Sequence, residues 1–145
     1  MRFVTLVARM RRQAAPAVVA ALAALVLSGI SAASSLPTLR TAVASRRHVV
    51  VTFTLGELAP GHIRVAARRA TTPDGMLLGA NVRLTEPLRA TKTPSGPWRA
   101  RTRHTLRPGV HYVQVSGIVV ALDCTPTRPC PQDWSNVRRV RIPRS

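Results

Sequence analysis

The chain has 145 residues, 46% hydrophobic but only 3% aromatic, with 22 Lys plus Arg against 5 Asp plus Glu and a net charge of +17. Such a positive excess attracts anionic polymers, whereas so few aromatic side chains cannot build the stacking platform that grips single-stranded nucleic acid. The two cysteines, without a second Cys or His pair at ligand spacing, exclude a four-ligand zinc site.

Arg2, Arg9, Arg11 and Arg12 make a basic start, followed by an uncharged run from Ala14 to Ala33 that is densest in Ala, Val and Leu between Val18 and Leu27. Ser31 and Ala33 place small residues three and one positions before a cut after Ala33, the pattern a signal peptidase reads. The run only just reaches the roughly 20 apolar residues that cross a bilayer, and Pro16, Ser28 and Gly29 weaken its ends. Residues 1–33 are therefore expected to be an N-terminal signal helix that is cleaved, or an uncleaved membrane anchor. The pair Arg11-Arg12 reads as ordinary basic charge, since its neighbours do not fit a twin-arginine signal. Residues 34–145 have the length of one domain with a modest two-layer core. Without the four arginines of the leader, 18 basic residues face 5 acidic ones, a net charge of +13. All but Lys92 are arginine, a bias that a GC-rich genome produces without selection on function.

Beyond Ala33 no segment has a helical period, and alternation of period two dominates. A possible edge strand runs near Leu39 to Val43. Val49, Val51, Phe53 and Leu55 alternate with His48, Val50, Thr52 and Thr54, a mostly β-branched strand. Pro60-Gly61 reads as a turn, and Ile63, Val65 and Ala67 then alternate with Arg64, Ala66 and Arg68. Pro73-Asp74-Gly75 is a second turn before Met76-Leu77-Leu78, and Val82 and Leu84 bracket Arg83 in a weaker strand. Glu86 to Pro97, with three prolines and Gly96, reads as loop. Trp98, Ala100 and Thr102 alternate with Arg99, Arg101 and Arg103, which share one face. Leu106-Arg-Pro-Gly turns the chain into a long strand, His111 to Val120, where Val113, Val115 and Val119 share a face interrupted by Gly117. Val140 and Ile142 alternate with Arg139 and Arg141 in the last strand. About seven short strands with no intervening helices predict an all-β fold, a single antiparallel β-sandwich, and exclude a parallel sheet.

Val49-Val-Val-Thr-Phe53, the element Leu106-x-Pro108-Gly109-x-x-Tyr112, and Ser135-Asn136 opening the last strand resemble a fibronectin type III or related immunoglobulin-like domain. The resemblance spans roughly Leu36 to Pro143 and implies a domain that binds or spaces rather than catalyses. The chain departs from the pattern in two places. The apolar face through Val113 and Val115 puts Tyr112 on the other side of its strand, away from a tyrosine-corner role. The second strand lacks a tryptophan, so Phe53 has to fill that volume.

Cys124 and Cys130, close together in the exported part, predict a disulfide in an oxidising compartment; their five-residue spacer is too long for a thioredoxin-like pair. The bridge stiffens a proline-rich loop that leads to Trp134, and this loop is one candidate binding element, against the plainer reading that Trp134 only packs on the end of the fold. The other candidate is a basic face. If the last strand and the Arg64/Arg68 strand flank the long strand, Arg64, Arg68, Arg139 and Arg141 surround Gln114 and Ser116. Arginine forks grip phosphate or carboxylate with paired hydrogen bonds; the plainer reading is a solvated face whose charges block sheet-to-sheet association. The acids Glu57, Asp74, Glu86, Asp123 and Asp133 are scattered, and only Asp123 and Asp133, at the two ends of the cysteine loop, suggest a carboxylate pair or calcium site, against simple loop capping. His48, His62, His104 and His111 lack metal-ligand spacing, and no serine sits in a nucleophile elbow.

The expectation is thus a secreted or envelope-associated module without enzyme activity, cofactor or metal. It would contact an anionic surface polymer, a carbohydrate or a surface protein. Nucleic acid is not expected as a partner, and a membrane only through an uncleaved leader. The alternative is a purely structural spacer with no ligand of its own.

Overall fold

Nine strands in two antiparallel sheets make up the computed structural model, which describes residues 36–120 and 124–144. The expected leader over 1–33 and Asp123 lie outside the described residues. The described chain belongs to one unit, Ser35–Ser145. Sheet 1 has the order β1 (Thr38–Ser45), β2 (His48–Thr54), β6 (Trp98–Arg101), β5 (Ala90–Lys92). Sheet 2 has β4 (Val82–Pro87), β3 (Ala59–Ala66) and β7 (Gly109–Ile118), with β8 (Gln132–Trp134) and β9 (Arg138–Ile142) lying in succession along the far side of β7. This all-β, two-sheet arrangement is compatible with a sandwich.

Alternation builds the core. Val49, Val51 and Phe53 of β2 point inward with Leu39 of β1, and meet Ile63, Val65, Val113, Val115, Val140 and Ile142 of sheet 2 in one hydrophobic cluster. Phe53 is fully buried and takes the central volume, where its burial contributes roughly 3 kcal/mol. Val119 does not join this face. It lies past the end of β7, which stops at Ile118, and is 38% exposed. A Cβ on Gly117 would come within 2.7 Å of Leu58, so only glycine lets that segment pack so closely.

Three expectations change. Pro60-Gly61 is not a turn but part of β3, at a bulge where Pro60 opposes Gly117 and the register shifts before Ile63. The bulge frees the His62 N–H, which donates to the Ser116 hydroxyl at 2.8 Å. The stretch from Glu86 to Pro97 contains the end of β4 and all of β5; its prolines and Gly96 only shape the hairpin tip, closed by Thr93 N–H to Pro97 C=O at 2.8 Å. β8 adds a further short strand after the cysteine loop, so the described residues hold nine strands instead of about seven.

Two polar side chains bind backbone groups that hydrophobic patterning does not reach, one between the sheets and one within its own segment. Asn136 sits in the break between β8 and β9 and reaches β1 of the other sheet: its Oδ1 accepts from Leu39 N–H at 2.8 Å and its Nδ2 donates to Leu39 C=O at 3.1 Å. His111, not Tyr112, is the buried residue at the start of β7, and its Nε2 donates to Arg107 C=O at 2.7 Å. Tyr112 is half-buried on the outer side, as the alternation requires.

Candidate functional site

β3 and β9 do flank β7, so the strands expected to carry the basic face are neighbours. Arg64 pairs with Gln114, Tyr112 with Arg139, and Val110 with Arg141. The centre of that face is nevertheless closed. The chain from Thr71 to Leu77 folds over it, bridged by Thr71 and Leu77, and Leu77 is fully buried. Gln114 is fully buried beneath: its Oε1 accepts from Leu77 N–H at 2.9 Å, and its Nε2 donates to Gly75 C=O at 2.6 Å and Ser135 C=O at 2.7 Å. Ser116, also fully buried, donates to Gln132 Oε1 at 2.7 Å. Gln114 and Ser116 are thus fasteners of the fold rather than the centre of an open surface. Their polarity suggested solvent, but a polar group is equally at home inside when every partner is supplied.

Arg64 and Trp134, expected in separate elements, come together. The guanidinium carbon stands 4.5 Å from the Trp134 ring centroid, and Nη1 donates to Leu77 C=O at 3.2 Å. Arg64 Nε is buried without a partner. Arg64 therefore joins the covering segment to the tryptophan through one hydrogen bond and one stacking contact. Arg68 lies beyond the end of β3 and is exposed; Arg139 and Arg141 are exposed on β9.

Cys124 and Cys130 form the expected disulfide, with their Cα atoms 5.0 Å apart. Within the ring, Thr125 and Arg128 exchange backbone hydrogen bonds at 2.9 and 3.1 Å, and Thr125 Oγ1 accepts from Arg128 N–H at 3.0 Å. The loop is a preorganised projection presenting Pro126, Thr127 and Arg128 to solvent.

The outer face of sheet 1 carries the feature that the expected site lacks. Thr91 of β5, Arg99 of β6, Thr52 of β2 and Thr41 of β1 are successive partners across the sheet. One step along, Arg101 pairs with Val50, and Arg89, just before β5, continues the register beside Arg101. Arg89, Thr91, Arg99 and Arg101, with Ser45 and Val50, border a shallow depression of about 380 Å³. All three arginines are exposed. Arg89 was missed because its segment read as loop, although Arg89-Ala90-Thr91 repeats the polar–apolar alternation of Arg99-Ala100-Arg101.

Carboxylates do little to balance this charge. Among the described residues the one ion pair is His104 Nδ1 with Glu86 at 2.8 Å, and no arginine is in ion-pair contact with an acid. Glu86 is buried and bound locally, accepting also from Arg103 N–H at 2.5 Å. Asp133 is half-buried in β8 opposite Gly117.

No family model matches the chain, and no curated protein matches it at a significant level of sequence similarity.

Proposed function

We propose that this chain is an exported, fibronectin type III-like module without enzyme activity that binds an anionic polymer of the cell surface. The observation that carries the reading is the surplus of exposed arginines, none of which has a carboxylate in ion-pair contact among the described residues. Uncompensated like charge raises the energy of a compact state, and a bound polyanion relieves it.

The strand order supports the family part of the reading. β1-β2-β6-β5 follows the A-B-E-D order of an immunoglobulin-type sheet, and β4-β3-β7-β9 follows C′-C-F-G. His111 makes the bond back to the chain that a corner tyrosine makes in such domains. The Cys124–Cys130 bridge supports an oxidising, extracellular compartment. Among the described residues no helix is long and apolar enough to cross a membrane.

A spacer role is the second reading, favoured by the internal use of Gln114, Ser116 and Arg64. Retention of the full-length chain on a set of polyanions at matched charge and about 0.15 M salt separates the two. The binding reading expects selective retention of one polymer; retention that follows charge density alone, and vanishes equally for all polymers as salt rises, supports the spacer.

A further inference from the structure

We infer that the polymer lies across the outer face of sheet 1, in the depression formed by Arg89, Arg99 and Arg101, and that it is a phosphodiester-linked chain. This rests on the polyanion reading above and adds its location and chemistry.

The arrangement of charge carries the inference. Arg101 and Arg89 sit side by side on neighbouring chain segments, where facing residues have Cα atoms about 4.5–5.5 Å apart. Like charges so placed are destabilising. Among the described residues no carboxylate contacts either one, and neither guanidinium makes a hydrogen bond. An anion seated between them converts the repulsion into two charge-assisted hydrogen-bonded contacts.

Arg99 and Arg101 stand two residues apart on β6, a separation of roughly 6.6 Å along the strand. Hydroxyls flank the first of these: Thr91 on one side and Thr52 on the other. The face therefore offers two anion positions in line along β6. One is Arg99 with its two threonines; the other is Arg101 with Arg89. A linear polymer bearing one charge per repeat of about that length meets both in turn. Each phosphodiester shares its one charge between two non-bridging oxygens, both open to a guanidinium fork, with room for a hydroxyl donor.

The depression is shallow, and no aromatic side chain borders it. It therefore has no ring face on which a base or a sugar stacks. Recognition falls on the backbone charges, which favours a flexible phosphodiester backbone over a ring-borne carboxylate.

The test uses full-length protein and three probes at matched charge concentration and salt: poly(glycerol phosphate), polygalacturonate, and vesicles rich in phosphatidylglycerol. A triple variant, Arg89→Gln with Arg99→Gln and Arg101→Gln, is compared with Arg68→Gln, Arg139→Gln and Arg141→Gln, which removes the same charge elsewhere. All six side chains are exposed, so both variants keep the wild-type circular dichroism. We expect wild type to prefer poly(glycerol phosphate). The sheet 1 triple should lose about tenfold or more in affinity, and its slope of log K against log salt should fall by about 2. The control triple should lose less than about threefold. Equal losses in the two triples would overturn the location while leaving the polyanion reading standing. A preference for polygalacturonate or for vesicles would overturn the phosphodiester chain. Failure of wild type to retain any probe at about 0.15 M salt would overturn the polyanion reading itself.

Discussion

The outer faces of the two sheets start from similar sequence material and end differently. Each has a strand that alternates arginine with apolar residues, β6 in sheet 1 and β9 in sheet 2, yet sheet 2 is roofed by the segment from Thr71 to Leu77, and the β5–β6 side of sheet 1 is bare. On sheet 2, polar side chains are consumed within the molecule: Gln114 makes three hydrogen bonds, and Arg64 stacks on Trp134. On sheet 1, Arg89, Arg99 and Arg101 meet neither an acid nor a cover among the described residues. A strand's outward polar residues thus stay open to solvent or become an interior fastening according to whether a connecting segment crosses them. Alternation along the strand looks the same in both cases.

Removing the roof should have the largest effect. Gln114→Ala leaves the Leu77 N–H and the Gly75 and Ser135 carbonyls without their partner. We expect a loss of about 3 kcal/mol in urea unfolding, together with faster proteolysis between Thr71 and Leu77. Unchanged stability would show that the covering segment is not held from below. Trp134→Ala removes the ring on which Arg64 rests, and a loss of about 1.5 kcal/mol is expected.

The next changes run the other way. Arg46 occupies the β1–β2 hairpin at φ 57°, a left-handed conformation that costs a non-glycine residue roughly 1 kcal/mol. Arg46→Gly should therefore raise stability by about 1 kcal/mol, measured as a higher urea midpoint at constant slope. Smallest is Arg101→Gln, which relieves its repulsion with Arg89 and should stabilise by a few tenths of a kcal/mol, on the order of 0.3. The same variant should weaken polyanion binding. Opposite signs for stability and binding are the signature of a charge kept for a ligand; a loss of both would mark Arg101 as structural.

Much of the fold was readable from pattern. Val49-Val51-Phe53, Val113-Val115 and Val140-Ile142 alternate because each faces a dry core; the adjacency of β3, β7 and β9 was an expectation conditional on the sandwich order, and the pairing agrees with it. The disulfide was readable because two nearby cysteines have few other uses. β5 was not readable, since three residues are too few to display a period and prolines surround them. Pro60 and Gly61 read as a turn because their rule is local, whereas the bulge that holds them depends on Ser116, distant in sequence. The candidate site was legible in its residue type and not in its location. Arg99 and Arg101 were recognised as a face, but Arg89 joins them only through the pairing of β5 with β6, and the roof over Gln114 leaves no local trace. Nor does Asn136 announce from its neighbours that it will bind both backbone groups of Leu39.

Arginine-selective labelling with phenylglyoxal, read residue by residue by mass spectrometry with and without poly(glycerol phosphate), tests the difference between the two faces most directly. Arg89, Arg99 and Arg101 should react quickly and be protected together by the polymer, while Arg64 reacts slowly under both conditions. Fast labelling of Arg64, or protection spread evenly over all exposed arginines, would contradict the account.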